Sequence, residues 1–131
     1  MELLRGLISE ARATAEHAYA PFSGLRVGAV ILSASGGEYT GCNVENPSLG
    51  ATICAERSAL SAMITAEGPS ARISSLALWC SGANPCYPCG ICRQALLPFC
   101  TSETLLIMEA ADGGAVAQPF SELLPHPFTG P

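Results

Sequence analysis

The stretch LRVGAVILSASGGEYTGCNV, residues 25–44, contains two runs typical of β-strands, LRVGAVIL and EYTGCNV. Both runs are rich in β-branched, aromatic and other apolar residues, which favour strands. Serine and glycine residues fill the segment 33–37 between them, SASGG, and these residue types are common in tight turns. The stretch therefore predicts a β-hairpin, with strands over 25–32 and 38–44.

Helices and further strands are predicted on both sides of this hairpin. Apolar residues recur at spacings of three and four from Glu2 to about Ala20, which predicts an amphipathic helix that Pro21 ends. The later elements are, in order, a helix over 52–66, a strand over 73–80, a helix from 89 to about 99, strands over 104–109 and 115–118, and a short helix over 121–124. This order predicts an α/β fold, a three-layer α-β-α arrangement with helices on both faces of one mixed five-stranded sheet.

The composition limits the classes of protein to which the chain can belong. Its 131 residues suit a single domain over 1–131, and 49% hydrophobic against 13% charged residues excludes a disordered chain. Six arginines, no lysine and a net charge of −5 offer no cationic surface to a nucleic acid. Without a membrane-spanning stretch or a secretion signal, we expect a cytoplasmic protein with no membrane partner. So few charges also predict that another subunit covers part of the surface.

Three of the seven cysteines stand where they could bind one metal ion. Cys89 and Cys92 form a C-x-x-C motif at the start of a predicted helix, so their sulfurs share one helix face. Cys54 lies in the first turn of another predicted helix, and helix N-termini favour the thiolate form that a metal requires. If both helix ends meet at the carboxyl edge of the sheet, the three thiolates form a cluster for which Zn²⁺ is the expected ion.

The number of protein ligands decides what such a site can do. Three ligands leave a fourth position for water, as in catalytic zinc sites, whereas a fourth sulfur from Cys86 would give a closed structural site. Pro88 would precede the helix and leave Cys86 in an extended loop, so the three-ligand site is the expectation. Glu56 could move protons beside the metal, or could only complement the helix dipole. Arg57 could donate hydrogen bonds to the ligand sulfurs, or could be an exposed helix residue.

The C-x-E motif at 54–56, together with P-C-x-x-C at 88–92, resembles the signature of the zinc-dependent nucleobase deaminases. Further matching segments make the chain similar to the small homotetrameric cytidine deaminases, from about Tyr19 to Phe128. These segments are VGA at 27–29, CNVEN at 42–46, GATICAER at 50–57, PCGICRQ at 88–94 and ELLP at 122–125.

The resemblance implies a reaction and a metal centre. Cys54, Cys89 and Cys92 would hold one Zn²⁺ per subunit, and water activated there would attack C4 of the cytosine ring. Glu56 would carry a proton to N3 and later to the departing amino group, with Arg57 beside the ligand sulfurs.

The resemblance also implies residues that bind the substrate. Asn43 and Glu45 would bind the ribose 3′-hydroxyl, and the Ala55 N–H would meet the base carbonyl. Phe128 would stack on a base held by a neighbouring subunit of a homotetramer. On residue chemistry alone, Asn43 and Glu45 could equally be satisfied polar groups at a strand end, and Phe128 could be ordinary terminal packing.

Two positions depart from the family pattern, in which an aromatic residue usually packs on the pyrimidine and a tyrosine commonly precedes the glycine before the C-x-E segment. Leu25 and Leu49 stand at these positions and provide apolar bulk without π-stacking. The expected function is hydrolytic deamination of cytidine and 2′-deoxycytidine to the uridine forms with release of ammonia, in pyrimidine salvage. Two alternatives remain: a deaminase of a modified aminopyrimidine nucleoside, such as a nucleoside antibiotic, and a non-catalytic zinc module with Cys86 as fourth ligand.

Overall fold

The computed structural model describes residues 2–131. These residues form one five-stranded sheet with helices on both faces. The strands are β1 (Val27–Ser33), β2 (Glu38–Cys42), β3 (Ile73–Cys80), β4 (Cys100–Glu109) and β5 (Ala115–Pro119), and the helices are α1 (Glu2–Ala15), α2 (Ala55–Glu67) and α3 (Gly90–Leu96). The strand order is β2-β1-β3-β4-β5, with β3 and β4 parallel and the other neighbours antiparallel. The predicted mixed sheet and α/β class are confirmed.

Several predicted boundaries are wrong. The first helix ends at Ala15 instead of Ala20, because Tyr19 exchanges backbone hydrogen bonds with the segment after β2, accepting from Glu45 and donating to Asn43. The last predicted turn of α3 is a short 3-10 helix that contains Pro98, which has no backbone N–H for an α-helical bond. The predicted C-terminal helix at 121–124 is also a 3-10 helix, over Phe120–Leu123.

Each face of the sheet is covered by its own apolar core. Strand β1 supplies both cores, because Val30 faces α1 whereas Ala29 and Ile31 face α2. The α1 core consists of Leu7, Ile8, Ala11, Val30, Ala77 and Ile107. The larger core on the other face includes Ala59 and Met63 from α2 and Leu96 from α3. This two-sided burial explains why β1 is a continuous apolar run instead of an alternating one. Among residues 2–131, no helix has the length and apolar character needed to cross a membrane.

Glycine allows the helices to approach the sheet closely. A Cβ atom on Gly28 in β1 would overlap the Ala11 carbonyl oxygen of α1, and one on Gly41 in β2 would lie 2.5 Å from the Ala55 oxygen of α2. Real Cβ atoms do not approach backbone atoms so closely, so either substitution must move a helix. The packing of both layers therefore depends on these two glycines.

We expect Gly28→Ala to lower the free energy of unfolding by about 3 kcal/mol, at the upper end of the usual cost of overpacking. Urea unfolding followed by circular dichroism measures the change. Gly6→Ala is the matched control, because Gly6 lies within α1 with nothing near its added methyl group, and alanine there should stabilise the helix by up to about 1 kcal/mol. A Gly28→Ala protein as stable as the unchanged protein would contradict the close packing.

The topology brings two helix N-termini to the same edge of the sheet. Strands β2 and β3 both run antiparallel to β1, so they point in the same direction on either side of it. Helix α2 follows β2 in the chain, and α3 follows β3. Both helices therefore begin at the edge where β2 and β3 end, which is the arrangement that the predicted cluster of thiolates requires.

Candidate metal centre

The sulfur atoms of Cys54, Cys89 and Cys92 all lie within 4.8 Å of one another. Cys54 immediately precedes α2 and Cys89 immediately precedes α3, both with extended backbone, whereas Cys92 lies in the first turn of α3. Cys54 was predicted to lie in the first turn of its helix. It is instead the N-cap residue, one position before the helix begins. Within residues 2–131, no other group of three cysteine, histidine or acidic side chains is arranged for a metal ion.

The protonation of these sulfurs suits the binding of a cation. A hydrogen bond from the Cys92 thiol is the main cause that lowers the pKa of Cys54 to about 5, and the Arg57 guanidinium lowers it further. The pKa of Cys92 is raised, because its proton is held by Cys54 and because the side chain is buried. A thiolate is therefore present at neutral pH beside further sulfur donors. Zn²⁺ favours such ligands, and three of them leave one coordination position open.

Arg57 supplies positive charge directly beside the sulfurs. Its terminal Nη2 donates to the Cys54 sulfur at 3.7 Å and to the Thr52 carbonyl oxygen at 3.1 Å. Its Nε is buried and has no hydrogen-bond partner within residues 2–131. Three thiolates outweigh the charge of one Zn²⁺, and the guanidinium offsets this excess. The side chain is half-buried and in contact with the cluster, and it is not a freely exposed helix residue.

Glu56 lies in the first turn of α2 and is only 5% exposed. Burial is the main cause that raises its pKa above the usual range, and the neighbouring Cys54 thiolate raises it further. A raised pKa lies closer to neutral pH, and a carboxyl group with such a pKa can both accept and release a proton there. A carboxylate that only complemented the helix dipole would need no burial, so the position of Glu56 favours proton transfer.

Cys86 lies outside the group of three sulfurs. Burial and contact with Cys80 raise the pKa of its thiol to about 12, so Cys86 keeps its proton at neutral pH. The geometry therefore provides three sulfur ligands and not four, which favours an open site over a closed structural one.

The two polar side chains after β2 are paired within the chain. The Asn43 amide accepts a hydrogen bond from the Val27 N–H and donates one to the Leu25 carbonyl oxygen, both at 2.8 Å. The Glu45 carboxylate accepts from the backbone N–H groups of Phe22 and Ser23, at 3.0 and 3.1 Å, and from the Ser23 hydroxyl. The hydroxyl contact is the main cause that lowers the pKa of Glu45. Both residues hold the segment 22–27 in place, and their ribose contacts stay a prediction.

An open cavity of about 400 Å³ lies beside Glu45 and is also lined by Phe22, Ser23, Asn46, Leu49 and Thr52. Leu49 is 84% exposed and Leu25 is 41% exposed, so both leucines present apolar surface. Ala55 is buried at the first position of α2, where backbone N–H groups have no partner within the helix. Phe128 is 70% exposed and lines another cavity with Gln94, Leu97 and Pro98.

Ser23 orients the Glu45 carboxylate and was not among the site residues predicted from the sequence. Its hydroxyl donates to Glu45 and accepts from the Leu25 N–H at 3.0 Å. No local pattern identifies this role, because the two side chains meet only when the segment after α1 folds against the end of β2. Their proximity depends on the tertiary structure.

Three cysteine sulfurs without a fourth protein ligand, next to the buried Glu56 carboxyl group, are the arrangement typical of a metal-dependent enzyme that uses water as a reactant. Residues 1–108 match the model of the family described as the cytidine and deoxycytidylate deaminase zinc-binding region. The chain belongs to this family. The expected zinc cofactor agrees with both the family and the arrangement of the three sulfurs.

Individual relatives agree with this assignment over nearly the whole chain. A cytidine deaminase of Halalkalibacterium halodurans is 38% identical over 124 residues, which cover 94% of this chain and 92% of the relative. The crystal structure of a cytidine deaminase from Burkholderia pseudomallei superposes with a TM-score of 0.86 at 34% identity, covering 95% of this chain and 98% of that one. A cytidine deaminase from Mycobacterium tuberculosis gives 0.79 at 36% identity, with coverage of 98% and 97%.

Proposed function

We propose that this protein is a cytidine deaminase that converts cytidine and 2′-deoxycytidine to uridine and 2′-deoxyuridine with release of ammonia, in pyrimidine salvage. The observation that carries the proposal is the group of three sulfurs with the buried Glu56 carboxyl, which interacts with the Cys54 and Cys92 sulfurs. The names of the similar proteins support the choice of substrate. The net charge of −5 suits a free nucleoside better than a nucleic acid.

In this reaction Glu56 transfers two protons. Cys54, Cys89 and Cys92 would hold the Zn²⁺ ion, which would supply the activation of a water molecule as a nucleophile. Glu56 takes a proton from this water and gives it to N3 as the oxygen adds to C4. The remaining hydroxyl proton then passes through Glu56 to the amino nitrogen, the C4–N bond breaks, and ammonia leaves. The oxygen stays on C4 as the carbonyl group of uridine, so every atom of the water is accounted for.

We assign nucleoside binding to residues near the start of α2. Asn43 and Glu45 bind the ribose 3′-hydroxyl, the Ala55 N–H binds the base carbonyl, and Leu25 packs against the base. The hydrogen bonds donated by Phe22 and Ser23 lower the pKa of Glu45 and fix its carboxylate, which suits it to accept a hydrogen bond from a hydroxyl group. The adjoining cavity beside Glu45 supports this placement.

The proposal includes a homotetramer in the cytoplasm with active sites shared between subunits. Large apolar side chains are exposed around the two helix N-termini and the C-terminal segment, among them Leu49, Ile53, Ile91 and Phe128. Contact between subunits would bury them. None of the seven cysteines forms a disulfide bond, which suits the reducing cytoplasm.

Phe128→Ala is expected to raise KM for cytidine about 10-fold, because the base loses both a stacking partner and apolar contact. Steady-state kinetics measure KM, and the melting temperature measures the fold. Leu3→Ala is the matched control, since Leu3 is another exposed apolar residue but lies on α1. An unchanged KM for Phe128→Ala would remove Phe128 from the site.

The function is tested by following the ultraviolet absorbance of cytidine with purified protein of known zinc content. Turnover of cytidine and deoxycytidine is expected, and the absence of turnover by the fully zinc-loaded protein would contradict the proposal. The same assay includes base-modified nucleosides, because leucine at positions 25 and 49 departs from the aromatic residues of the family pattern. Faster turnover of a modified nucleoside than of cytidine would support the alternative substrate.

A further inference from the structure

Arg93 in α3 connects the metal loop to the C-terminal segment. Its Nε donates to the Pro88 carbonyl oxygen at 2.7 Å, and its Nη1 donates to the Leu123 carbonyl oxygen at 2.9 Å. Pro88 immediately precedes Cys89, and Leu123 ends the 3-10 helix Phe120–Leu123. Pro88 and Leu123 are both buried, so each carbonyl group would be costly to leave without a partner.

The C-terminal segment depends on α3 for its polar contacts. Leu123 packs in the larger core, but residues 125–131 are exposed and belong to no helix or strand. In the part of the chain that the structure describes, none of the backbone hydrogen bonds of turns and loops involves residues 124–131. The Phe128 carbonyl oxygen instead accepts a hydrogen bond from the Gln94 amide at 3.0 Å. Arg93 thus holds the start of this segment through Leu123, and Gln94 holds it at Phe128.

We propose that Arg93 is a positioning residue that fixes the backbone before Cys89 and the start of the C-terminal segment at the same time. A single planar guanidinium suits this task, because its nitrogen donors diverge in a fixed geometry. Through Pro88 it orients a metal ligand, and through Leu123 it directs the segment that carries Phe128. The assignment of Phe128 to a nucleoside site rests on the proposed function, whereas the contacts of Arg93 do not.

The test compares three variants of the zinc-loaded protein. Arg93→Ala should release zinc to a chelating dye about 10-fold faster, as expected when a group that orients a ligand is lost. It should also increase deuterium uptake in residues 124–130 and raise KM for cytidine. Gln94→Ala removes only the contact with the segment, so it should increase deuterium uptake and KM but leave zinc release unchanged. Arg72→Ala is the matched control, because Arg72 also donates to two backbone carbonyl groups, those of Pro69 and Ala71, and it should change none of the three.

The inference is overturned if Arg93→Ala matches Arg72→Ala in zinc release or in deuterium uptake, because the proposal requires both to change. If Arg93→Ala does not fold, Arg93→Lys replaces it. A lysine ammonium group carries its hydrogen-bond donors on one nitrogen atom, so it cannot donate to both carbonyl groups in this geometry. At least one of the two measurements must then change, and a variant with neither change overturns the inference. Zinc-loaded protein that does not deaminate cytidine contradicts the proposed function, while zinc release and deuterium uptake still decide the role of Arg93.

Discussion

Glu56→Gln is expected to lower kcat for cytidine at least about 100-fold while zinc content and melting temperature stay close to those of the unchanged protein. Glutamine has nearly the same shape as glutamate but cannot accept and release a proton, and a positioned general acid or base contributes about 10²–10⁴-fold to a rate. Glu56 is only 5% exposed, so bulk solvent has little access to its carboxyl group. Ultraviolet kinetics, metal analysis and thermal unfolding measure the three quantities.

Glu67→Gln is the matched control for this experiment. Glu67 ends the same helix, far from the cluster, and its carboxylate accepts hydrogen bonds from Ser33 and Tyr39 at 2.7 Å. Its replacement should leave kcat unchanged, although stability can fall slightly. If Glu56→Gln also kept the full kcat with zinc bound, proton transfer by Glu56 would be wrong.

Replacing Cys92 by serine is expected to abolish stoichiometric zinc binding and with it all measurable deamination. A serine hydroxyl does not ionise near neutral pH and is a poor ligand, so only two sulfurs would remain. The substituted side chain is fully buried, so Cys89→Ser at the exposed ligand is a second variant with the same expected result and less risk to the fold. Zinc is measured after gel filtration by atomic absorption.

Cys86→Ser is the control that separates an open site from a closed one. Cys86 lies three residues before Cys89 but outside the group of sulfurs, so its replacement should leave zinc content and kcat unchanged. The opposite pattern, with zinc lost from Cys86→Ser and activity independent of Glu56, would support the non-catalytic zinc module.

The metal centre could be predicted because its signal is local in the sequence. The spacing of Cys89 and Cys92 places both sulfurs on one helix face, and the alternation of helices and strands brings Cys54 to the same sheet edge. The long apolar run of β3 likewise identifies a buried strand, and its predicted bounds, Ile73–Cys80, are those of the structure. In these places, short-range residue patterns and the tertiary fold agree.

The remaining features depend on contacts between distant segments. The first helix ends early because the chain after Ala15 hydrogen bonds with residues that follow β2. Arg93 reaches Leu123 only after β4 and β5 have returned the chain to α3. Neither partner could be inferred from the residues around it, since local propensity is overridden where tertiary contacts compete with it.

The three sulfurs come from two parts of the chain that are far apart in sequence, since a complete helix and a strand separate Cys54 from the pair Cys89 and Cys92. An ion that binds all three sulfurs stabilises the native conformation, because the unfolded chain has no comparable site. Its free concentration therefore shifts the folding equilibrium, by about 4 kcal/mol at a thousandfold excess over the dissociation constant. In a cell with little zinc, more of this protein would be unfolded and open to proteolysis, and the rest would be inactive. The amount of the protein in the cell would therefore fall as the zinc concentration falls.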